Sequence, residues 1–499
     1  NYNQEVGGRR SGFFTNDINY RFLSNGDPAS QSNYSAAGTS NFFSFISQAD
    51  YALKGKYFLK GTLRNDGSSV FGPQHRYGWF PSVGAAWRIT EENFLKSLDW
   101  LTDLKLRASW GKTGYYGNTD PRNQFNLYGG SAATSYYDIN GTSNSPVQGF
   151  TAVRLGDPRT GWQEDVVTNI GFESVFWNGI LSVTVDRYKK KAKGLLFPVS
   201  LPAILGGATS PNVNIGEVQN TGIDILLGSK RKFSRDWNID ATLTLTTYKN
   251  KIVRLTDLNY FFPSGYGVQT VGLVRNEVGH PASSFYAYKI IGLFQNQEDV
   301  NKSPVQDAAK PGRFKYLDAD GDGKITDEDR VFIGNANPKF TAGINLGINY
   351  KKFDFSTFCY GSFGNDVMNI VDKVTTLQGK SKKALYDSWS PQRPDTSVPL
   401  PETYVNFSTW GPPNSYGLEK GSYFRNKSMM LGYTFSKSLL QKMKMEKMRI
   451  YVQAVNLFTI TKYTGLDPEL SGSSAAFGLD IGNYPNSQKQ FLFGLSIGL

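Results

Sequence analysis

Apolar and polar residues alternate with a period of two through much of the chain, most regularly in the stretch FLFGLSIGL at its carboxyl end. Phe491, Phe493 and Leu495 fall on one face of an extended chain, whereas Gly494 and Ser496 fall on the other. A membrane-spanning strand has this pattern because its large side chains meet lipid while the small or polar ones face a wet interior. The carboxyl end therefore predicts a barrel strand, although a two-layer sandwich with one face in water would give the same alternation.

The same alternation predicts thirteen strands between residue 42 and the carboxyl end. They cover residues 42–53, 56–65, 76–88, 104–112, 163–176, 179–191, 215–228, 237–250, 338–350, 353–363, 421–435, 447–457 and 487–499. Short or modest connections alternate with much longer ones along this series. Outer-membrane barrels sort their connections in this way because their turns are short at one rim and long at the other. The predicted fold class is therefore all-β, a transmembrane antiparallel β-barrel.

The number and direction of the strands predict that the barrel is larger than this chain. With the carboxyl end at the periplasmic rim, all the long connections are extracellular, including the excursion 251–337. The strand-like segment 283–294 is then either a local element of that loop or one of two extra strands. Because single-chain bacterial barrels have an even number of strands, thirteen strands predict that residues 1–499 are the carboxyl-terminal portion of a barrel.

Aromatic residues cluster at the predicted strand ends, where a membrane belt would lie. One group is Tyr77, Trp79 and Phe80, and another is Phe172, Phe176 and Trp177. Packing within a β-core is an equally good interpretation of any single one of them. Taken together they favour a belt.

The net charge of +12, from 54 Lys and Arg against 42 Asp and Glu, does not predict a nucleic-acid partner because the basic residues are scattered. The densest group, Lys189 to Lys191 with Lys193, lies at the end of a predicted strand. A solvated strand end is the leading interpretation of this group, and an acidic lipid surface is an alternative. No run of about 18 apolar residues is present, which excludes a helical membrane span.

Residues for enzyme chemistry are scarce. The chain has one cysteine, Cys359, and two histidines, His75 and His280, which lie in different predicted loops and outside any recognisable nucleophile motif. We therefore expect no catalytic site and no enzyme activity.

The stretch DADGDGKITDED has the spacing of a twelve-residue calcium loop. Its candidate ligands at positions 1, 3, 5, 7, 9 and 12 are Asp318, Asp320, Asp322, the backbone carbonyl of Lys324, Thr326 and Asp329. Position 12 departs from the EF-hand pattern because Asp replaces Glu, and no convincing helix precedes the loop. An Asp- and Gly-rich surface turn is the competing interpretation. We expect a structural calcium ion that cross-links an excursion with little hydrophobic core of its own.

Several stretches resemble one protein family, the SusC-like (RagA-like) TonB-dependent outer-membrane transporters of Bacteroidetes. The resemblance covers most of the chain from about residue 40, in order and at plausible spacing. The stretches are RYGWFPSVGAAWRITEENFLKS (76–97), LKLRASWGKTG (104–114), GEVQNTGIDILL (216–227), GHPASSFYAYKIIGLFQ (279–295), PGRFKYLDADGDGKITDEDRVFIGNANPKFTAGINLGINYKKFDFS (311–356), GSYFRNKSMMLGYTF (421–435) and MRIYVQAVNLFTITKYTGLDPEL (448–470).

This resemblance implies a barrel of about 22 strands closed by an amino-terminal plug that is not in this sequence. It also implies import of an oligosaccharide, glycan or peptide, driven through the TonB complex and assisted by a SusD-like surface lipoprotein. A passive outer-membrane porin with calcium-stabilised loops is the alternative function. The sequence does not choose between sugar and peptide cargo, because loops that bind either use Tyr, Trp and Asn.

Overall fold

The computed structural model describes residues 2–13, 15, 17, 19, 22–117, 119–130, 135–139, 141, 147–198, 207–255, 259–263, 271–442, 444–470, 472, 476–482 and 487–498. Its largest element is an antiparallel sheet, here called the wall, in which thirteen strands follow one another in chain order. They are β1 (Phe42–Leu53), β2 (Tyr57–Ser68), β3 (Tyr77–Arg88), β4 (Leu101–Tyr115), β5 (Gln163–Phe176), β6 (Leu181–Lys193), β7 (Glu217–Lys232), β8 (Trp237–Arg254), β9 (Phe340–Tyr350), β10 (Phe353–Phe363), β11 (Tyr423–Thr434), β12 (Lys447–Val455) and β13 (Gln490–Gly498). The structure thus has a strand at each of the thirteen predicted positions.

The remaining strands form small sheets before the wall or in its long connections, apart from Thr459–Thr461, which pairs with β11. They are Tyr2–Arg9 with Ser32–Thr39; Leu127–Gly129 with Thr151–Arg154; Leu196–Pro198 with Asn212–Asn214; Tyr260–Phe261, Val274–Glu277, Ser284–Tyr288 and Arg330–Asn335; Ile290–Leu293 with Phe314–Tyr316; and Leu418–Lys420, Asp366–Asn369 and Leu479–Asp480. The segment 283–294 is therefore a local element of its loop, which confirms the first of the two alternatives.

The helices are short. The α-helices are α1 (Gln297–Lys302), α2 (Ile370–Leu377), α3 (Lys382–Asp387) and α4 (Lys437–Lys442), and the 3-10 helices are Leu23–Asn25, Pro28–Ser30, Ile89–Glu91, Trp177–Gly179 and Asp327–Asp329. None of the described helices is long and apolar enough to cross a membrane.

The two faces of the wall differ in chemistry. On the outward face, Leu243 of β8 lies opposite Leu227 of β7 and Ile344 of β9, and such apolar neighbours recur from strand to strand. The inner face, over which the long connections fold, carries ion pairs between strands. Examples are Arg88 with Asp103 and Lys105 with Glu173, at 2.9 and 3.5 Å. An apolar outside and a charged inside are what a membrane barrel with a wet lumen requires.

Aromatic pairs line the outward face at the end of the wall where the short turns lie. The ring centroids are 6.4 Å apart for Tyr57 and Trp87, 5.8 Å for Trp100 and Phe176, 4.3 Å for Trp237 and Tyr350, and 4.8 Å for Phe353 and Tyr433. This arrangement is that of an interfacial belt.

The aromatic prediction was wrong for Phe80. Tyr77 and Trp79 are exposed on the outward face, but Phe80 is buried and packs edge-on against Trp162, with centroids 5.5 Å apart. The reason is parity: successive residues of a strand point to opposite faces, so Phe80 faces inward when Trp79 faces outward.

Opposite faces of one strand provide a test of this orientation. We expect Leu243→Arg to destabilise the folded barrel by about 2–4 kcal/mol, because it places a charge on the lipid-facing surface. The control is Thr244→Arg, one residue further along β8 and on the inner face, which we expect to be tolerated. Urea unfolding in lipid vesicles measures both, and equal effects of the two substitutions would contradict the assignment of faces.

The hydrophobic core of the molecule lies in the long connections rather than in the wall. Three of them, at 255–339, 364–422 and 456–489, share one buried cluster: Leu273, Val274, Phe285, Ala287, Ala336, Met368, Ile370, Ala476 and Leu479. A second cluster joins the first two: Tyr288, Leu293, Phe314, Tyr316, Ile325, Leu377, Trp389 and Trp410. We call the two clusters the loop core. The expectation that the 251–337 excursion has little core was therefore wrong, because the excursion buries its apolar residues against the other loops.

Candidate functional site

A cavity of about 540 Å³ lies where the long connections meet the inner face of the wall. Strands β4 to β8 form one side, near the ends that carry the long connections, and residues of the connections form the other. The wall contributes Tyr115, Gln163, Asp165, Lys190, Ala192, Val218, Asn220, Asn250 and Ile252, and the connections contribute, among others, Phe197, Asn212, Phe261, Asn276, Ala282, Asn337 and Phe477. Its volume is in the range of small-ligand sites.

A chain of amide hydrogen bonds fixes the position of the polar groups in this cavity. The Asn250 Nδ2 group donates to Asn220 Oδ1 at 2.7 Å, and Asn250 Oδ1 accepts from the Ala282 N–H at 2.7 Å. Asn337 Nδ2 in turn donates to the Ala282 carbonyl oxygen at 2.7 Å. The wall and the 255–339 connection are thereby held in one register. Within the described part of the chain, Asn220 Nδ2 and Asn337 Oδ1 have no protein partner, so the amino group of Asn220 and the carbonyl oxygen of Asn337 are available to a ligand.

The cavity carries no net charge. Asp165 and Lys190 are the only charged residues among the described lining, and they pair at 2.7 Å. Aromatic rings complete the lining, with Phe197 and Phe261 at 6.2 Å between centroids. Amide groups beside aromatic rings suit an uncharged ligand that both donates and accepts hydrogen bonds, such as a sugar ring or a peptide backbone.

The structure brings together three of the predicted calcium ligands. Asp318, Asp320 and Asp322 each offer a carboxylate oxygen within 4.8 Å of the others. The backbone turns back on itself at Gly321 and Gly323, with φ of +77° and +83°, values that glycine adopts without strain. N–H groups of the loop orient the carboxylates: Gly323 donates to Asp318 Oδ2 at 2.9 Å, and Lys324 to Asp322 Oδ1 at 2.8 Å. These grouped oxygens are the donor type that calcium prefers.

The other predicted ligands hold the loop closed. Asp329 is fully buried, and its two carboxylate oxygens accept the N–H groups of Ala319 at 2.6 Å and Thr326 at 2.7 Å. Thr326 caps the 3-10 helix Asp327–Asp329, and its hydroxyl oxygen accepts from the Glu328 N–H. Lys324 lies inside the loop, where Val305 pairs with it. Asp329 is thus a closing residue that stands outside the carboxylate group, and its role as a metal ligand stays a prediction.

The chain matches a family model described as TonB dependent receptor-like, beta-barrel, over residues 1–457. The chain belongs to this family. The TonB-dependent receptor P3 of Formosa agariphila is 31% identical to this receptor barrel over 502 residues, which cover 98% of this chain and 48% of that protein. The TonB-dependent receptor SusC of Bacteroides thetaiotaomicron is 28% identical, covering 91% and 43%.

The solved structure of the RagAB peptide transporter is similar to the receptor barrel with a TM-score of 0.78 and 26% identity. The similarity covers 97% of this chain and 50% of that one. The receptor barrel therefore spans about half the length of the proteins that it matches. These findings confirm the predicted family, the fold class and the location in the bacterial outer membrane. The extracellular side of the long connections stays a prediction.

An ion-pair network that sequence reasoning missed joins the receptor wall to the long connection 456–489. Arg425 of β11 is buried and donates to Asp467 at 2.6 Å, to Glu469 at 2.6 Å and to the Thr459 hydroxyl at 2.8 Å. Burial would raise the pKa of Asp467, but the hydrogen bonds from Arg425 and from the Glu469 N–H bring this pKa below its ordinary value. We call Arg425, Asp467 and Glu469 the clamp. Its acidic members lie in the stretch GLDPEL, which contributed to the family resemblance but was not predicted to form a site.

The cavity residues were not predicted either. Asn220, Asn250, Asn276 and Asn337 come from separate elements, and no spacing in the sequence connects them. One local signal was present: Asn220 and Asn250 both occupy inward positions on strands that the alternation predicts.

Proposed function

We propose that the receptor barrel is part of an importer that takes up a nutrient such as an oligosaccharide or a peptide across the outer membrane in a TonB-dependent way. The observation that carries this proposal is the amide-lined cavity, which has no net charge and lies beneath the long connections. In that position an incoming ligand meets it after passing the loops. The similarity to RagAB, a peptide transporter, supports peptide as one of the two cargo classes.

We propose two partners for the full-length protein. A SusD-like lipoprotein would cover the extracellular loops, and the TonB complex would act through other parts of the full-length protein. Membership of a TonB-dependent receptor family favours active import over a passive porin, because a porin needs no energy coupling.

Calcium is proposed as a structural ion of the extracellular loops. Asp318, Asp320 and Asp322 would hold it through their carboxylates, and the Lys324 carbonyl, Thr326 and Asp329 are the remaining candidates. The ion would supply a cross-link within the 255–339 loop and no chemistry on the cargo.

Filling the cavity tests its role in import. Asn220→Trp places a large ring on the inner face, where we expect it to reduce uptake by the full-length receptor by at least about tenfold, because the ligand loses both space and a donor. Thr221→Trp is the control, since this neighbour points outward at the membrane interface, where tryptophan is well tolerated.

Uptake is measured with a labelled neutral oligosaccharide and a labelled neutral peptide, in cells that lack the native gene and carry equal amounts of surface receptor. Loss of uptake of one cargo identifies its class. Unchanged uptake of both by the Asn220→Trp receptor would contradict a cargo role for the cavity.

A further inference from the structure

Seven basic side chains occupy outward positions at the extracellular ends of β4, β6 and β8. They are Lys112, Arg187, Lys189, Lys191, Lys193, Lys249 and Lys251, and we call them the basic belt. Their outward direction follows from parity, because the alternating neighbours Asp165, Lys190, Asn220 and Asn250 line the inner cavity. This group contains three of the four lysines in the densest basic stretch of the sequence.

Strand register arranges the belt in rows across five neighbouring strands. One row is Trp110, Thr168, Lys189, Thr221 and Lys249, and the next row toward the cell exterior is Lys112, Val166, Lys191, Gln219 and Lys251. Cations that are two strands apart have Cα atoms about 10 Å apart, since adjacent strands are separated by about 4.8 Å. Flexible lysine side chains at this spacing can converge on one multivalent anion.

Most of the charge in the belt is uncompensated. Lys191 pairs with Glu217 at 3.1 Å, and Lys112 pairs with Glu164. The other five have no carboxylate partner in the described ranges of the chain, and all five are exposed. Exposed cations clustered in this way produce a positive potential that attracts anions.

The height of the belt on the wall matches the membrane interface. Two rows below Lys189, the outward residues of the same five strands are all apolar: Leu106, Phe172, Val185, Ile225 and Leu245. The row of Lys189 instead contains threonine and lysine and, at its edge, Trp110, an aromatic residue typical of an interface. Arg187 lies one row lower, and its long side chain can reach up to the same level.

We propose that the basic belt is a binding site for phosphorylated lipid headgroups of the outer leaflet. Charge complementarity favours lipid binding over the interpretation of the belt as a solvated surface. Unpaired cations at headgroup height are stabilised by phosphate oxygens, which the acyl chains of the lipids hold at that height. The neighbouring hydroxyl and amide groups of Thr168, Thr221 and Gln219 can add hydrogen bonds to the same phosphates. The proposal rests on the outer-membrane location and does not depend on the cargo.

The test uses the full-length receptor in phosphatidylcholine nanodiscs, titrated with phosphatidic acid and read by native mass spectrometry. The variant Lys189→Gln/Lys249→Gln/Lys251→Gln removes three belt charges. We expect its apparent affinity for phosphatidic acid to fall by about 100-fold, from roughly 1 kcal/mol for each lysine. The control, Lys310→Gln/Lys380→Gln/Lys382→Gln, removes three exposed loop charges and should leave the affinity unchanged. Replacing the same belt lysines with arginine should preserve binding.

Folding of each variant is checked by its heat-dependent mobility in detergent gels, so that lost binding is not confused with lost structure. Parent affinity in the belt variant would overturn the proposal. So would equal competition by millimolar inorganic phosphate, which would identify a free anion as the ligand. Loss of a copurifying lipoprotein with unchanged lipid binding would assign the belt to a protein partner and would also overturn it.

Discussion

Arg425→Ala is expected to lower the free energy of unfolding by about 3–5 kcal/mol, the cost of leaving a buried ion-pair partner without its counter-charge. Arg425 and Asp467 are both buried and bonded at 2.6 Å, so water does not replace the lost guanidinium readily. The control is Lys427→Ala, which removes a half-buried cation that pairs with the same Glu469 and should cost no more than about 1 kcal/mol. Urea unfolding of the full-length receptor in vesicles measures both.

The clamp also predicts a dependence on pH. Because the pKa of Asp467 in the folded receptor is below its ordinary value, the clamp contributes fully above about pH 4. Its contribution is lost as the pH falls through the lowered folded-state pKa. The stabilisation that the clamp gives the parent should therefore be constant between pH 5 and pH 8. In Arg425→Ala, the lowering of the Asp467 pKa by the guanidinium is lost while burial still raises this pKa, so stability should begin to change at higher pH than in the parent. Identical pH profiles of the free energy of unfolding for parent and variant would contradict a stabilising role of the clamp.

Removal of calcium is expected to accelerate proteolysis of the 255–339 loop by up to about 100-fold, if the free ion is at 100 times its dissociation constant. Asp320→Ala should give the same acceleration in calcium and no further change with chelator. Glu328→Ala, which removes an exposed acid of the same stretch outside the carboxylate group, is the matched control. The measurement is limited proteolysis followed by mass spectrometry of the cleavage sites.

The variant Asp329→Ala distinguishes the stability that the loop gains from calcium from the stability that it gains from its own hydrogen bonds. Since Asp329 accepts two backbone N–H groups, its loss should loosen the loop with or without calcium. Cleavage of the parent that is unchanged by chelator would leave the Asp- and Gly-rich stretch as a surface turn.

The wall could be predicted from the sequence because its signal is local. Alternation along one strand decides which residues face lipid, and the lengths of the connections decide which end they occupy, so β8 and β13 needed no information from elsewhere. Phe80 shows the limit of this approach: composition at a strand end suggested a belt, whereas parity places the ring inside.

The loop core and the cavity could not be predicted because their partners are distant in the chain. Phe285, Met368 and Leu479 pack together across almost 200 residues, and no periodicity records that contact. The calcium-type loop could be predicted in part. Its short spacing predicted the grouped carboxylates of Asp318, Asp320 and Asp322, but the closing hydrogen bonds of Asp329 appear only when the loop is folded.

The shared loop core limits how relatives can exchange specificity. Each of the three loops buries apolar side chains against the other two, so a single loop transplanted from another receptor would face a foreign surface and leave unfilled space. Functional chimaeras are therefore expected when all three segments are transferred as a set, and inherited changes in cargo choice should arise by substitution at the cavity lining.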